Sequence, residues 1–155
     1  MLVGVLSDTH GHFDPLLGQA LQGCDELWHA GDFGGMELVG KLESLGIPLR
    51  GVCGNIDDQA VRRRFPRDLR FEVEGVRVLM THILDARARK LLAADPPDLF
   101  CFGHSHIVEA RQGRWLSLNP GACGREGIHQ VKTVVLLELA EGKIRGMRVR
   151  ELGPR

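Results

Sequence analysis

The chain has 155 residues, enough for one domain (residues 1–155) with a sizeable core. Apolar residues make up 43% and charged residues 26%, a globular balance that excludes a disordered or fibrous chain. Twenty acids balance twenty bases, so bulk charge gives no reason to expect nucleic acid, an anionic membrane or a strongly acidic partner.

Residues 2–7 read as a buried strand, and Asp14-Pro15 then opens a helix, with Asp14 as N-cap and Pro15 at its first position. A second strand covers 26–30. Gly34-Gly35 precede a helix from Met36 to Leu45, whose Leu38, Val39, Leu42 and Leu45 recur at helical spacing. Ile47 to Val52 is a third strand, and Gln59 to Phe65 a short basic helix or irregular segment. The pattern then turns antiparallel. Leu69–Val73 and Val76–Met80 flank Glu74-Gly75 as a hairpin. A helix near 85–94 ends at Asp95-Pro96-Pro97, and Leu99–Phe102 is a strand. Two more hairpins turn at Gln112-Gly113 and Glu141-Gly142. A βαβα start followed by hairpins predicts a layered α/β protein, an α-β-β-α sandwich of two packed mixed sheets.

Residue types that bind metals follow these apolar runs. Asp8 and His10 follow the first strand, Asp32 the second and Asn55 the third; His82, then His104 and His106, follow later ones. The steps from Asp8 through Asp32, Asn55 and His82 to His104 are 24, 23, 27 and 22 residues, each about one strand, one helix and two loops. If the strands lie side by side, the groups gather at one edge of one sheet, beyond the strands' carboxyl ends. Asp8-x-His10 and His104-x-His106 each place two groups on one side of an extended chain. Gly31, Gly54 and Gly103 precede motif residues and allow close backbone approach. Mixed carboxylate, imidazole and amide groups suit manganese, iron, nickel, cobalt or zinc better than calcium or magnesium. Seven groups exceed the needs of one ion.

The motifs Asp8-x-His10, Gly31-Asp32, Gly54-Asn55-x-Asp57, Thr81-His82 and Gly103-His104-Ser105-His106 resemble, in order, those of the calcineurin-like metallophosphoesterases. Asn119-Pro120-Gly121-Ala122 resembles a turn of the small bacterial and archaeal YfcE-type phosphodiesterases. The resemblance implies that Asp8, His10 and His106 hold one divalent ion and Asn55, His82 and His104 a second, with Asp32 bridging them. Manganese is the favoured ion. It further implies hydrolysis of a phosphoester, preferably a diester, by in-line attack of a hydroxide held between the ions, with Asp32, Asn55 and His82 carrying catalysis. Asn55 and His12 are candidate substrate contacts. His29, inside a strand, is expected to orient Asp32 or a neighbour. Asp57 either fixes the loop that presents Asn55 or forms a plain Asx turn. Ile56 stands where many relatives carry a histidine that assists the leaving group, and Ile83 where many carry glycine, so either the loop after His82 follows a different path or His82 sits slightly differently.

Other features read as structure. His129 is expected in an exposed loop, and Trp28 and Trp115 in core or hairpin packing. Arg62-Arg63-Arg64 has no interleaved aromatics and reads as a solvated face, or as a rim that helps hold an anionic substrate. No further Arg or Lys cluster sits in the motif loops, which favours a diester over the more highly charged monoester. The four cysteines form no C-x-x-C pair, Met1 opens directly into a strand without a basic leader, and no apolar run reaches membrane-span length. These features predict a cytoplasmic protein acting on a small phosphoester, without nucleic acid or membrane, with a homo-oligomer left open. The alternatives are a non-catalytic interaction scaffold on the same fold, like the retromer subunit of eukaryotes, and a phosphomonoesterase. A polymer-cutting nuclease fits neither the neutral charge nor the short length.

Overall fold

A computed structural model describes residues 1–155. Parallel strands β1 (Leu2–Leu6), β2 (Glu26–His29) and β3 (Leu49–Gly51) form one side of the first sheet. The long hairpin β9 (Val131–Ala140) and β10 (Lys143–Pro154) adds to the free edge of β1, giving the order β10-β9-β1-β2-β3. The second sheet has the order β4-β5-β6-β8-β7, from β4 (Asp68–Val73), β5 (Val76–Thr81), β6 (Leu99–Cys101), β7 (Val108–Gln112) and β8 (Leu116–Pro120). Strands β5, β6 and β8 run parallel, and β4 and β7 close the edges antiparallel.

The sheets pack face to face because their inward residues are apolar. Val3, Val5 and Trp28 of the first sheet, with Val135 and Leu137, meet Val78, Met80, Leu99, Cys101 and Leu118 of the second in one buried cluster. Trp28 is fully buried there, edge-on to Phe71, and its indole N–H donates to Glu26 at 2.8 Å. Trp115 sits at the β7–β8 turn and donates to the Ser117 hydroxyl. Helices α1 (Leu17–Ala20), α2 (Met36–Glu43) and α3 (Gln59–Arg64) cover the outer face of the first sheet through Leu17, Leu38, Val39, Leu42 and Val61. Helix α4 (Ala86–Ala94) covers the second through Leu92 against Leu79, Phe100 and Phe102. Asp58 and Asp85 cap α3 and α4 by accepting the N–H of Val61 and Ala88.

Two expectations are corrected. The first helix is one turn, Leu17–Ala20, with Leu16 at its N-cap. Asp14 instead accepts the Leu16 N–H at 2.8 Å and pairs with buried Lys132 of β9, so its carboxylate ties the first loop to the long hairpin. The metal-ligand residue types also do not share one sheet. Asp8, His10, Asp32 and Asn55 follow strands of the first sheet, whereas His82, His104 and His106 follow strands of the second. They meet because both sheets turn the carboxyl ends of their parallel strands to one side.

Candidate metal centre

Two clusters form where the strand ends converge: Asp8, His10 and His106, and Asp32, His82 and His104. In each, the potential ligand atoms lie within 4.8 Å of one another. The carboxylates join the clusters. Asp32 Oδ2 is 3.2 Å from His82 Nε2 and 3.5 Å from His10 Nε2, so one oxygen stands between a residue of each group. Asp8 Oδ1 is 3.2 Å from His106 Nε2, 3.9 Å from His82 Nε2 and 4.0 Å from His10 Nε2.

The other oxygen of each carboxylate is held by protein. Asp8 Oδ2 accepts the Ser7 hydroxyl at 2.5 Å and the His104 N–H at 3.0 Å. Asp32 Oδ1 accepts the Ile56 N–H at 3.1 Å. His82 Nδ1–H donates to Ala30 O at 2.8 Å, which leaves the Nε2 lone pair facing the carboxylates.

The residues fit divalent metal. Asp8 Oδ1, His10 Nε2 and His82 Nε2 are buried and make no hydrogen bond, although buried polar atoms are nearly always satisfied. Ligands held about 2.1 Å from one ion stand roughly 3–3.5 Å apart, close to the spacings here. Five of these residues also adopt left-handed backbone: Asp8 at φ 53°, His10 at 47°, Asp32 at 58°, His104 at 72° and His106 at 62°. Only two other non-glycine residues do so, and both, Glu74 and Glu141, sit in tight hairpin turns. Each left-handed residue costs about 1–2 kcal/mol, so strain is concentrated on the candidate ligands.

Close packing of the motif loops depends on glycine. A Cβ on Gly103 would lie 2.0 Å from Ser7 Oγ, and one on Gly54 1.9 Å from Asp32 Oδ1. Asp57 closes the same junction, accepting the N–H of Gly34 at 2.9 Å and of Gly54 at 2.8 Å. It thus ties the Asp32 loop to the Asn55 loop, more than an Asx turn does. Asn55 itself is exposed and lines a cleft with His82.

His29 does not touch the Asp32 side chain. Its Nδ1 accepts the Gly31 N–H, so Nε2–H donates to Thr9 Oγ1 at 2.9 Å, and the Thr9 hydroxyl donates to Phe33 O at 3.1 Å. This relay fixes the backbone on both sides of Asp32. Full burial pushes the His29 pKa down to about 3, which keeps the ring neutral. His12 stands outside both clusters, with Nε2 3.5 Å from Asp14 Oδ2.

Two residues outside the expected ligand set support the site. Asn119 donates to Gly103 O at 2.8 Å and to Ser105 Oγ at 3.0 Å, which pins the His104–His106 loop. His129 is not exposed as expected. It is buried, donates from Nε2 to Gly124 O, and meets the His106 ring edge-on at 5.4 Å. The motif loops carry no further cationic cluster, but Arg62, Arg67 and Arg87 converge on the cleft beside His82 and Asn55. They come from α3, the chain after it and α4, so no single motif loop contains them.

Without metal, the ionisable groups hold one another. Burial would raise the Asp8 carboxyl, but the adjacent His106 and the nearby His82 and Ser7 outweigh it and hold it below its usual range. Burial likewise opposes the lowering of Asp32 by His82, Ile56 N–H and His10. Burial disfavours charged His82, yet Asp32 and Asp8 raise its pKa, and the adjacent Asp8 carboxylate raises that of His106. The raised histidines contribute stability fully below about pH 6.5 and lose it as pH rises through their folded values. The lowered carboxyls contribute above about pH 3.9 and lose it as pH falls through theirs. The cluster therefore stabilises the metal-free chain most between those limits.

Metal needs the imidazoles unprotonated, so its affinity has the opposite slope on the alkaline side. Calorimetric Mn(II) titrations in buffers of different ionisation enthalpy are expected to show proton release near pH 7 that vanishes at higher pH. Binding without proton exchange near pH 7 would contradict this assignment of charges.

The calcineurin-like phosphoesterase superfamily domain matches residues 1–142. Among solved structures, an archaeal phosphodiesterase is similar at TM-score 0.77 and 19% identity, over 97% of this chain and 100% of that one. Vps29 from Entamoeba histolytica, complexed with zinc, is similar at TM-score 0.77 and 19% identity, over 97% and 98% of the two chains. A Thermotoga maritima protein has TM-score 0.73 and 26% identity over 97% and 98%. No curated protein matches the chain in sequence.

Proposed function

The chain belongs to the calcineurin-like phosphoesterase superfamily, and from that premise we propose that it is a phosphodiesterase working with two divalent metal ions. The observation that carries this reading is the convergence of two three-ligand clusters, joined through Asp32, at the shared edge of the two sheets. Asp8, His10 and His106 would hold one ion, and His82, His104 and Asn55 the other. When bound, such ions lower the pKa of water to near neutrality and offset negative charge on phosphoryl oxygens.

The chain's own residues position and select. Asp32, fixed at Oδ1 by Ile56 N–H, presents Oδ2 to both clusters. The His29–Thr9 relay and the Asp57 bridge hold the loops rigid, so little reorganisation is needed during reaction. Asn55, on the cleft wall, offers amide N–H groups to a phosphate oxygen. The Ile56 side chain is 46% exposed and cannot donate a proton, which favours esters with good leaving groups.

The preference for diesters rests on the likeness to small phosphodiesterases, because the arginines by the cleft remove the argument from missing cations. Mn(II)-loaded protein is expected to hydrolyse bis(p-nitrophenyl) phosphate with a higher kcat/KM than p-nitrophenyl phosphate, and to lose both activities on chelation. Hydrolysis of neither ester would overturn the reading, and a preference for the monoester would reverse its choice of substrate. No helix is long and apolar enough to cross a membrane.

A further inference from the structure

We propose that the cleft beside His82 and Asn55 is a subsite for a second phosphate group, so that preferred substrates are phosphodiesters carrying an additional phosphate on one ester arm. The inference rests on the proposed phosphodiesterase activity for the reacting phosphate and on the cleft itself for the second.

The cleft has a volume of about 170 Å³, well beyond the roughly 30 Å³ share of one water. Three guanidinium groups, Arg62, Arg67 and Arg87, line it against a single carboxylate, Asp85. Asp85 pairs with Arg67 and Asp68 with Arg87, whereas Arg62 has no carboxylate partner, so the cleft keeps a net positive charge. Arg62 is the fixed member. Its Nε donates to Asp57 O at 2.7 Å, and its Nη2 to Gly54 O at 2.9 Å and Asn55 O at 3.1 Å. Three backbone carbonyls thus hold it in place without cancelling its charge, and Nη1 keeps its donors. Arg67 gives one bond to Asp85 at 3.1 Å and is otherwise open, with its side chain 64% exposed. Arg87 is anchored to Asp68, a residue outside the cleft lining. Burial and the charge of Arg67 lower the Arg87 pKa, as expected when two cations face each other.

The ligand chemistry follows from the donors. Planar guanidinium forks match phosphate oxygens two at a time, and a dianion with three free oxygens can engage several arginines at once. The cleft shares His82 with the candidate metal centre and is also lined by Asn55, the proposed amide ligand. A group bound there is therefore a neighbour of the reacting phosphate. Ile83, where many relatives have glycine, lines the same cleft and gives it an apolar wall.

The test has a binding arm and a kinetic arm. Calorimetry on the metal-free protein compares thymidine 5′-monophosphate with thymidine, and the monophosphate is expected to bind at least about tenfold tighter. On Mn(II)-loaded protein, thymidine 5′-(p-nitrophenyl phosphate) bearing a 3′-phosphate is expected to exceed its unphosphorylated analogue in kcat/KM by a similar factor. Both ratios should fall toward one in Arg67→Ala, whose exposed side chain can be removed without opening the core. Arg67→Lys should give intermediate ratios, because charge remains and the fork is lost. Equal binding of the nucleotide and the nucleoside, or ratios unchanged by Arg67→Ala, would overturn the subsite whatever the activity. A binding preference that Arg67→Ala abolishes, with hydrolysis of neither ester, would support the subsite and sink the phosphodiesterase reading alone.

Discussion

Asp32→Asn is expected to lower kcat/KM toward bis(p-nitrophenyl) phosphate by on the order of a thousandfold or more, with the fold intact. The amide has the shape of the carboxylate, and its oxygen can still accept the Ile56 N–H that Oδ1 now accepts at 3.1 Å. Its NH₂ then replaces Oδ2, the atom that stands 3.2 Å from His82 Nε2 and 3.5 Å from His10 Nε2. One substitution therefore removes the anionic oxygen that faces both clusters and turns a donor toward imidazole lone pairs. Thermal melts of the metal-free proteins separate this effect from unfolding. A variant that melts normally and retains more than a tenth of the activity would mean that Asp32 does not join the clusters. A non-catalytic scaffold predicts that Asn at this position changes nothing the protein does.

Gly54→Ala should damage both stability and activity. The added Cβ would lie 1.9 Å from Asp32 Oδ1 and 2.3 Å from Asp32 N, where contacts need about 3.4 Å or more. The obstacle is backbone and a fixed carboxylate, so relief requires parting the Asp32 and Asn55 loops. Overpacking of this kind costs about 1–3 kcal/mol, or roughly 2–12 °C in Tm for a chain of this size. A displacement of about 1 Å at a catalytic carboxylate costs on the order of a hundredfold in rate. Gly40→Ala is the control. It lies inside α2 with nothing within 4 Å of the new Cβ, and alanine there should raise stability by up to about 1 kcal/mol. Equal melting temperatures for Gly54→Ala and the native chain would show that the loops are not packed as described.

The two substitutions probe one design. Left-handed backbone at five candidate ligands and glycines pressed against Asp32, Ser7 and His82 are unfavourable in isolation. They are held by the hydrophobic layers around them, where full burial of each large apolar side chain contributes about 1.5–3 kcal/mol. Burial at Trp28, Phe33, Leu79 and Phe100 thereby maintains a set of carboxylates and imidazoles that would otherwise relax apart.

Much of this was legible in the sequence because a buried parallel strand is a short apolar run, and the residues just after the run must surface at the strand's end. That logic located Asp8, Asp32, Asn55, His82 and His104 from the chain alone, and Glu74-Gly75 and Glu141-Gly142 marked two hairpins whose φ values are indeed positive. The division of the strands between two sheets was not legible, because apolar runs do not name their neighbours. Nor was the burial of His129, which depends on the packing of the 124–129 loop against His106. The arginine cleft escaped for a similar reason. Arg62, Arg67 and Arg87 are separated by other elements, and only the packing of α3 and α4 near the sheet edges brings them together. Asp14 looked like a helix cap because Asp-Pro is a common helix opening. The long-range pairing with Lys132 outweighed that local preference.

The two-metal reading turns on how many ions the folded chain holds. Native mass spectrometry of protein loaded with Mn(II) and then dialysed counts them without reference to any substrate. Two ions per chain in the native protein, falling to one or none in Asp32→Asn, is the predicted result. A native chain that retains no metal, or that retains the same number in Asp32→Asn, would contradict it.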